Sequence, residues 1–457
     1  MTKYKELIDL KKASIFLIAL PYFTFNISNI IHSPFYSLTQ LIFTLTFLFF
    51  LEILFKYGLL KLNERLHNII TLLIILTFVL FFYGLYLTTF TQKLFQNYFH
   101  FVIRGRFLIE YLLGLFIILI LVVKKKNINY QYLNIFLILF SLSTLLISLK
   151  NINENGERRK YLKGSIVSLP VKKESLKPIL LIITDEYTSP DELYQVHNDS
   201  SLYQFSNGLI NKKWIVKNNF YTYEISTIHS LGSLFNFNLS KNKEFKTQEA
   251  TNIGATMLMH SIVADSLEKK KVEILNFGIF HINKNTYLNR LYFYPTSFIE
   301  NLMMRTIYYT IKINTGNLVE NGLASSYYPM EAHNRFILNH LVDTINTLTN
   351  KNTFAYIHLF MPHGPMQYMP DFSIRKQNNL INYKAYWNFT NQKLNILLRE
   401  LIKDNRYRII LTGDHGYRRD KRINPHYTFS AFYGFKKESI DRIESVQDIG
   451  SLINSGF

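Results

Sequence analysis

Four short segments of this chain carry the residue types that chemistry needs. Thr184-Asp185-Glu186 follows the apolar run Ile179–Ile183, Met361-Pro362-His363-Gly364-Pro365 follows Phe354–Leu359, and Thr412-Gly413-Asp414-His415-Gly416 follows Arg408–Leu411. If each run is a strand, three strand ends deliver three carboxylates and two histidines toward one edge. Mixed carboxylate and imidazole donors suit a divalent metal, zinc or manganese rather than magnesium, which prefers oxygen and retained water. The fourth segment, Ser226-Thr227-Ile228-His229-Ser230-Leu231, places a hydroxyl pair at the start of an apolar-periodic run. Two readings are open there. Ser226 or Thr227 is a plain helix cap, or the hydroxyl is a nucleophile at a helix N-terminus, which favours an alkoxide and an incoming phosphate.

These segments need a scaffold that sets strand ends level. Strand-like runs at Ile179–Thr184, Glu273–Phe277, Phe354–Leu359, Arg408–Thr412 and Phe429–Phe435 alternate with helix-like stretches such as Met330–Leu348 and Asn382–Lys403. In the last, Trp387, Leu394, Leu397, Leu398 and Leu401 recur at helical spacing. The alternation predicts an α/β domain with a mainly parallel sheet, whose ligand sites lie at the carboxyl ends of the strands.

The first third has a different composition. The chain has 457 residues, a net charge of +19 and no cysteine, yet residues 1–150 carry only 14 Lys/Arg and five acids. Spanning a bilayer takes about 20 mostly apolar residues, and five stretches qualify: Ser14–Ile31, Phe35–Leu54, Ile69–Phe90, Phe107–Val123 and Leu133–Leu149. With the N-terminus inside, the inner segments hold ten cations (Lys3, Lys5, Lys11, Lys12, Lys56, Lys61, Arg65 and Lys124–Lys126). The outer connection holds three, Lys93, Arg104 and Arg106, so the positive-inside rule fixes that orientation. The aromatic outer segment Thr91–Arg106 is either an interfacial helix or a plain loop. The reading is a five-helix transmembrane domain over 1–150, a polar linker at 151–175 and an extracytoplasmic α/β domain over 176–457. No Lys/Arg stripe interleaved with aromatics is present, so nucleic acid is not an expected partner. Without cysteine there is no disulfide, thiol nucleophile or thiolate zinc site.

In their order, these motifs on a five-span anchor resemble the membrane-anchored branch of the sulfatase/alkaline phosphatase superfamily, namely phosphoethanolamine transferases and lipoteichoic acid synthases. The resemblance implies a five-helix transmembrane bundle joined to a sulfatase-like α/β domain outside the cytoplasmic membrane. It implies that Glu186, with Asp185 beside it, Asp414 and His415 hold the metal together with Thr227. It further implies that Thr227 takes the phospho group, with Ser230 at the family's following serine. His363, His358 and His426 fall where the family places substrate-side histidines. The activity it implies is transfer of a headgroup from a membrane phospholipid donor to an envelope lipid or polysaccharide acceptor, by a protein expected to be a monomer. Two departures stand out. The family usually continues Asp-His-Gly with Glu-Ser, where this chain has Tyr417-Arg418-Arg419, and no Ser-x-Pro-x-Arg stands near Thr227 to make formylglycine. Alternatives are a sulfatase-like phosphodiesterase or sulfate-ester hydrolase, and a non-catalytic envelope assembly protein. His358 is equally readable as an ordinary strand residue and His229 as helix packing. His197, His260, His281, His333 and His340 match no motif and read as surface or core residues.

Overall fold

A computed structural model describes residues 14–31, 38–59, 69–83, 130–159, 177–237, 257–282, 329–363 and 379–457, together with positions 66, 114, 254, 255, 303 and 306. The chain divides into two compact units.

The first unit holds α1 (Ile15–Ile31), α2 (Leu38–Leu59) and α3 (Gln131–Arg159). Two stretches within these helices, Leu38–Phe55 and Gln131–Leu149, are long and apolar enough to cross a membrane, and Ile15–Phe25 and Ile69–Tyr83 are shorter apolar helices. Phe43, Leu139 and Leu146 are exposed by more than half on their surfaces, which suits an apolar surrounding better than water. Ala19, Tyr22, Phe23, Leu41, Leu48 and Phe82 form their shared core. Polar side chains tie the helices together: Thr24 Oγ1 bonds Thr144 Oγ1 at 2.7 Å, and Ser148 donates to the Phe25 carbonyl. The buried Glu52 of α2 accepts the main-chain N–H groups of Ile15 and Phe16 at 2.6 and 3.2 Å, so it caps the start of α1. The expected span Phe107–Val123 and the segment Thr91–Arg106 lie outside the described residues. The expected linker at 151–175 needs correction at its start, because α3 continues through Arg159. Its residues 151–159 are polar but contain no proline to stop a helix.

The second unit is built on six strands: β1 (Ile179–Thr184), β2 (Ile215–Tyr221), β3 (Glu273–Phe277), β4 (Thr353–Leu359), β5 (Arg408–Gly413) and β6 (Tyr427–Tyr433), in the order β2-β6-β5-β1-β4-β3. β5, β1, β4 and β3 are parallel neighbours, whereas β6 runs against both β5 and β2. The sheet is therefore mixed. β1, β4 and β5 are wholly buried, as continuous apolar runs in a sheet covered on both faces must be.

The helices are α4 (Pro190–His197), α5 (Gln204–Ile210), α6 (Thr227–Leu234), α7 (Ile262–Lys269), α8 (Pro329–Leu348), α9 (Leu380–Ile402), α10 (Lys437–Ile440) and α11 (Ile449–Ser455). Strand residues alternate between two cores. Leu180 and Ile182 pack with Trp387 and Leu394 of α9 and Ile337 and Leu341 of α8. Ile179, Leu181 and Ile183 pack with Leu231 of α6, Leu267 of α7 and Leu452 of α11. The period-2 alternation of a strand thus makes a three-layer sandwich.

Two strand expectations shift. β2 lacks a strand signal in the sequence because Lys217-Asn218-Asn219 interrupts its apolar pattern. It is an edge strand, mostly half-buried, whose pairing with β6 is irregular between Lys217 and Phe220. β6 begins and ends two residues before the expected Phe429–Phe435, because Gly434 turns the chain with φ +76° before Phe435.

Candidate active site

The register of three strands makes the site. Thr184 pairs with Leu359 on one side and Gly413 on the other, so β1, β4 and β5 end level. The next residues are stitched as well: Asp185 N–H donates to the Leu359 carbonyl at 3.0 Å and Asp414 N–H to the Thr184 carbonyl at 3.3 Å. Gly413 is required for this. A Cβ there would stand 2.0 Å from Thr428 Oγ1 and 2.9 Å from the Tyr187 carbonyl.

Asp185, Asp414 and His415 are fully or nearly fully buried, and one donor atom from each lies within 4.8 Å of the others. His415 Nδ1 donates to the Gly416 carbonyl at 2.8 Å. That contact places the proton on Nδ1 and leaves the Nε2 lone pair facing inward, the arrangement usual for a metal-ligating histidine. Nε2 lies 3.4 Å from Asp414 Oδ2. Asp414 Oδ1 accepts the N–H groups of Glu186 and His415, both at 2.8 Å, whereas the buried Oδ2 has no hydrogen-bond partner.

Electrostatics follow from this crowding. Burial first, and the Asp185 charge second, push the Asp414 carboxyl up to about 7. Burial also opposes ionisation of Asp185, but His363, His358 and His415 together outweigh it and hold that carboxyl below the usual range. Burial, with the neighbouring Arg418, pushes the His415 imidazole down to about 4. Two acids and a neutral imidazole therefore aim lone pairs at one another. Burying carboxylates without a counter-charge is costly, so this donor set fits a divalent cation.

Thr227 is the first residue of α6. Its hydroxyl donates to Asp185 Oδ1 at 3.2 Å and lies 3.3 Å from His415 Nε2. Ser226 holds the cap position, but its side chain makes no capping bond. The hydroxyl of Thr227 is thus turned into the cluster rather than onto the helix end.

The other expected residues divide. Glu186, expected as the first-strand ligand with Asp185 beside it, is fully buried, and of the two it is Asp185 whose donor atom converges with Asp414 and His415. Glu186 sits at φ 58°, a conformation rare for a side-chain-bearing residue. Its carboxylate accepts Arg418 N–H at 3.3 Å and lies 3.6 Å from Arg418 Nε and 3.9 Å from His363 Nε2. Glu186 Oε2 and His363 Nδ1 have no hydrogen-bond partner. His358 is inside the site, with Nε2 at 3.7 Å from Asp185 Oδ2 and Nδ1 bonded to Tyr356 OH at 2.7 Å. Ser230 was expected on the substrate side. It is buried, donates to the Asp414 carbonyl at 2.8 Å and accepts from Gln447 at 3.3 Å, so it braces the strand end. His426 is held by the Thr222 carbonyl at 2.9 Å and stacks on Tyr221, away from the contacts that join the cluster. Gly364 and Pro365 lie outside the described residues.

Three participants were not anticipated: Tyr356, Gln447 and Arg418. Tyr356 was legible in principle, since it stands two residues before His358 and so on the same strand face. Gln447 had no sequence signal. Arg418 stood in the segment that continues Asp-His-Gly differently from the family.

The sulfatase family model matches residues 177–436, which takes in every residue of the cluster. No curated protein matches the chain. Among solved structures it is similar to the lipooligosaccharide phosphoethanolamine transferase A of Neisseria meningitidis (13% identity over 95% of this chain and 92% of that one, TM-score 0.39). It is also similar to the C-terminal periplasmic domain of a phosphoethanolamine transferase from Campylobacter jejuni (14%, 62% and 89%, 0.34). A third is a lipoteichoic acid synthase from Listeria monocytogenes (13%, 62% and 72%, 0.38). With its level strand ends, its convergent acids and imidazole and the match across its α/β unit, the chain belongs to the sulfatase family.

Proposed function

We propose that the chain is a metal-dependent transferase. It moves a phospholipid headgroup, phosphoethanolamine-like or phosphoglycerol-like, onto an envelope lipid or glycan through a phospho-threonine at Thr227. The observation that carries this reading is the Thr227 hydroxyl, held within hydrogen-bond reach of Asp185 and His415 at a helix N-terminus. A divalent ion, zinc or manganese, held by Asp185, Asp414 and His415 would lower the hydroxyl's pKa and stabilise charge on the transferring group.

The chain's own residues do the rest. Asp185 accepts the hydrogen bond of the Thr227 hydroxyl and aims its oxygen. Attack on phosphorus forms the Thr227 Oγ–P bond as the hydroxyl proton passes to Asp185, and it breaks the bond to the diacylglycerol oxygen, which leaves with a proton. His363, partly exposed where His358 is fully buried, gives that proton in this reading. An acceptor hydroxyl then attacks the phospho-threonine and loses its proton to the same imidazole, while the departing Thr227 oxygen takes its proton back from Asp185. Neighbouring main-chain N–H groups at the start of α6 favour the anionic group.

The apolar α2 and α3 and the excess of cations in the inner segments support a multi-pass protein of the cytoplasmic membrane with its N-terminus inside. The α/β unit then works outside, on the leaflet where a tethered enzyme meets a lipid donor at high local concentration.

The test uses the zinc-loaded full chain with vesicles of phosphatidylethanolamine or phosphatidylglycerol. The expected result is diacylglycerol together with a headgroup-phosphate mass on the Thr227 peptide. Diacylglycerol with free headgroup phosphate and no adduct assigns the second step to water. Cleavage of sulfate esters alone overturns the reading.

A further inference from the structure

The mechanism above leaves one cation unused. Arg418 follows the Asp414-His415-Gly416-Tyr417 turn and lies beside the nucleophile. Its Nη1 donates to the carbonyl of Ile225, two residues before Thr227, at 3.1 Å. Its main-chain N–H and its Nε both approach Glu186 Oε1. The side chain is 35% exposed, while the Glu186 carboxylate beneath it is completely buried. Arg418 is thus a guanidinium gripped from below and open above. Its charge also reaches His415, whose imidazole it helps to keep neutral.

Glu186 explains the grip. Glu186 has a left-handed backbone, and its carboxylate lies beside Arg418 at 3.6 Å and His363 at 3.9 Å. A buried acid with one oxygen on Arg418 holds the guanidinium in place. The other charged neighbours do not compete for this task. Glu224 is paired with His229 at 3.7 Å, and Asp185 and Asp414 face Thr227 and each other.

We propose that Arg418 is the anion receptor of this site. Its guanidinium binds the non-bridging oxygens of the phosphoryl group carried at Thr227, and Glu186 is the positioning residue that holds it there. A planar fork matches tetrahedral phosphoryl oxygens in a way a lysine cannot. The inference rests on the reading of Thr227 as the residue that carries the group.

The test measures binding of inorganic phosphate to the zinc-loaded full chain by calorimetry at fixed pH. Arg418→Gln is expected to weaken phosphate binding about ten- to a hundredfold, and Arg418→Lys to recover only part of the loss. Melting temperatures check that each variant folds, which the partial exposure of Arg418 favours. Unchanged phosphate affinity in Arg418→Gln overturns the proposal, as does a wild-type chain that binds no phosphate. Restoration of wild-type affinity in the double variant Glu186→Gln/Arg418→Gln also overturns it, because Arg418 would then only neutralise Glu186. Phosphate binding that depends on Arg418 while no Thr227 adduct ever forms sinks the transferase reading and with it the phosphoryl group at Thr227, and leaves Arg418 a receptor for the free anion alone. An adduct with phosphate binding indifferent to Arg418 does the reverse.

Discussion

β5 begins and ends beside a buried charge, and the two are handled in opposite ways. At its start Arg408, 1% exposed, donates through Nη2 to the carbonyls of Lys177 and Gly456 at 3.1 and 2.7 Å, with the rings of Phe435 and Phe457 within 6 Å of its guanidinium. Just past its other end Asp414 is equally buried, but it faces a second carboxylate and keeps Oδ2 without a donor. Main-chain carbonyls cannot move away from Arg408, so that charge holds the C-terminal residues against the sheet. Two acids and an imidazole lone pair cannot satisfy one another, so that end of the strand calls for a cation from outside. The difference between a structural charge and a functional one is therefore visible in its partners rather than in its burial.

The comparison can be broken most sharply at Thr227. Thr227→Ala should reduce headgroup transfer by about a thousandfold or more, with a stability loss of no more than about 1 kcal/mol. Retained transfer with an adduct elsewhere, read by peptide mass spectrometry, would show that the cluster serves another nucleophile.

Next comes the opposite end. Arg408→Leu strips the Lys177 and Gly456 carbonyls of their donor and should cost about 3 kcal/mol in denaturant unfolding. Zinc affinity of the folded fraction should stay unchanged. A parallel loss of zinc binding would mean that the two ends of β5 are not independent.

Asp414→Asn then probes the acid pair. The folded Asp414 carboxyl, pushed up from 3.8 to about 7, keeps its proton where the unfolded chain loses it. The ion-free fold therefore loses stability as pH rises from about 4 to about 7. His415, lowered from 6.5 to about 4, acts oppositely: the unfolded chain binds the extra proton, so its contribution grows as pH rises from 4 to 6.5. Removing the Asp414 charge should leave only the second slope. In chelator, the Tm of the variant relative to wild type should climb between pH 4 and pH 7, and zinc should no longer raise it. A variant less stable than wild type at pH 8 would contradict the repulsion. Ser230→Ala, the smallest change, should cost about 1–2 kcal/mol through the Asp414 carbonyl and leave KM for the lipid unaltered. A KM rise without a stability loss would return Ser230 to the substrate side.

Much of this was written in the sequence because the sheet is simple where it matters. Ile179–Thr184 and Glu273–Phe277 match the observed strands at both ends, since a short run with an apolar centre, bounded by polar segments, leaves little choice. β2 escaped because an edge strand with one face toward solvent tolerates Lys217-Asn218-Asn219. The placement of Asp185, Asp414, His415 and Thr227 followed from strand ends and one helix start. The approach of the Glu186 carboxylate to Arg418 did not, because it goes with a left-handed backbone that no spacing encodes. Ser230 showed the same limit, since its hydroxyl is directed by where Gln447 folds, more than 200 residues away.

The carboxylate of Glu52 has a consequence of its own. The first main-chain N–H groups of a helix are those that its own ladder leaves open, and Glu52 accepts two of them from α1. Sliding α1 by one turn, about 5.4 Å, would bring bonded N–H groups to that oxygen and strand the open ones in an apolar surrounding, at several kcal/mol per group. A single acid on α2 thus works as a depth stop. It sets the height of α1 along its neighbour.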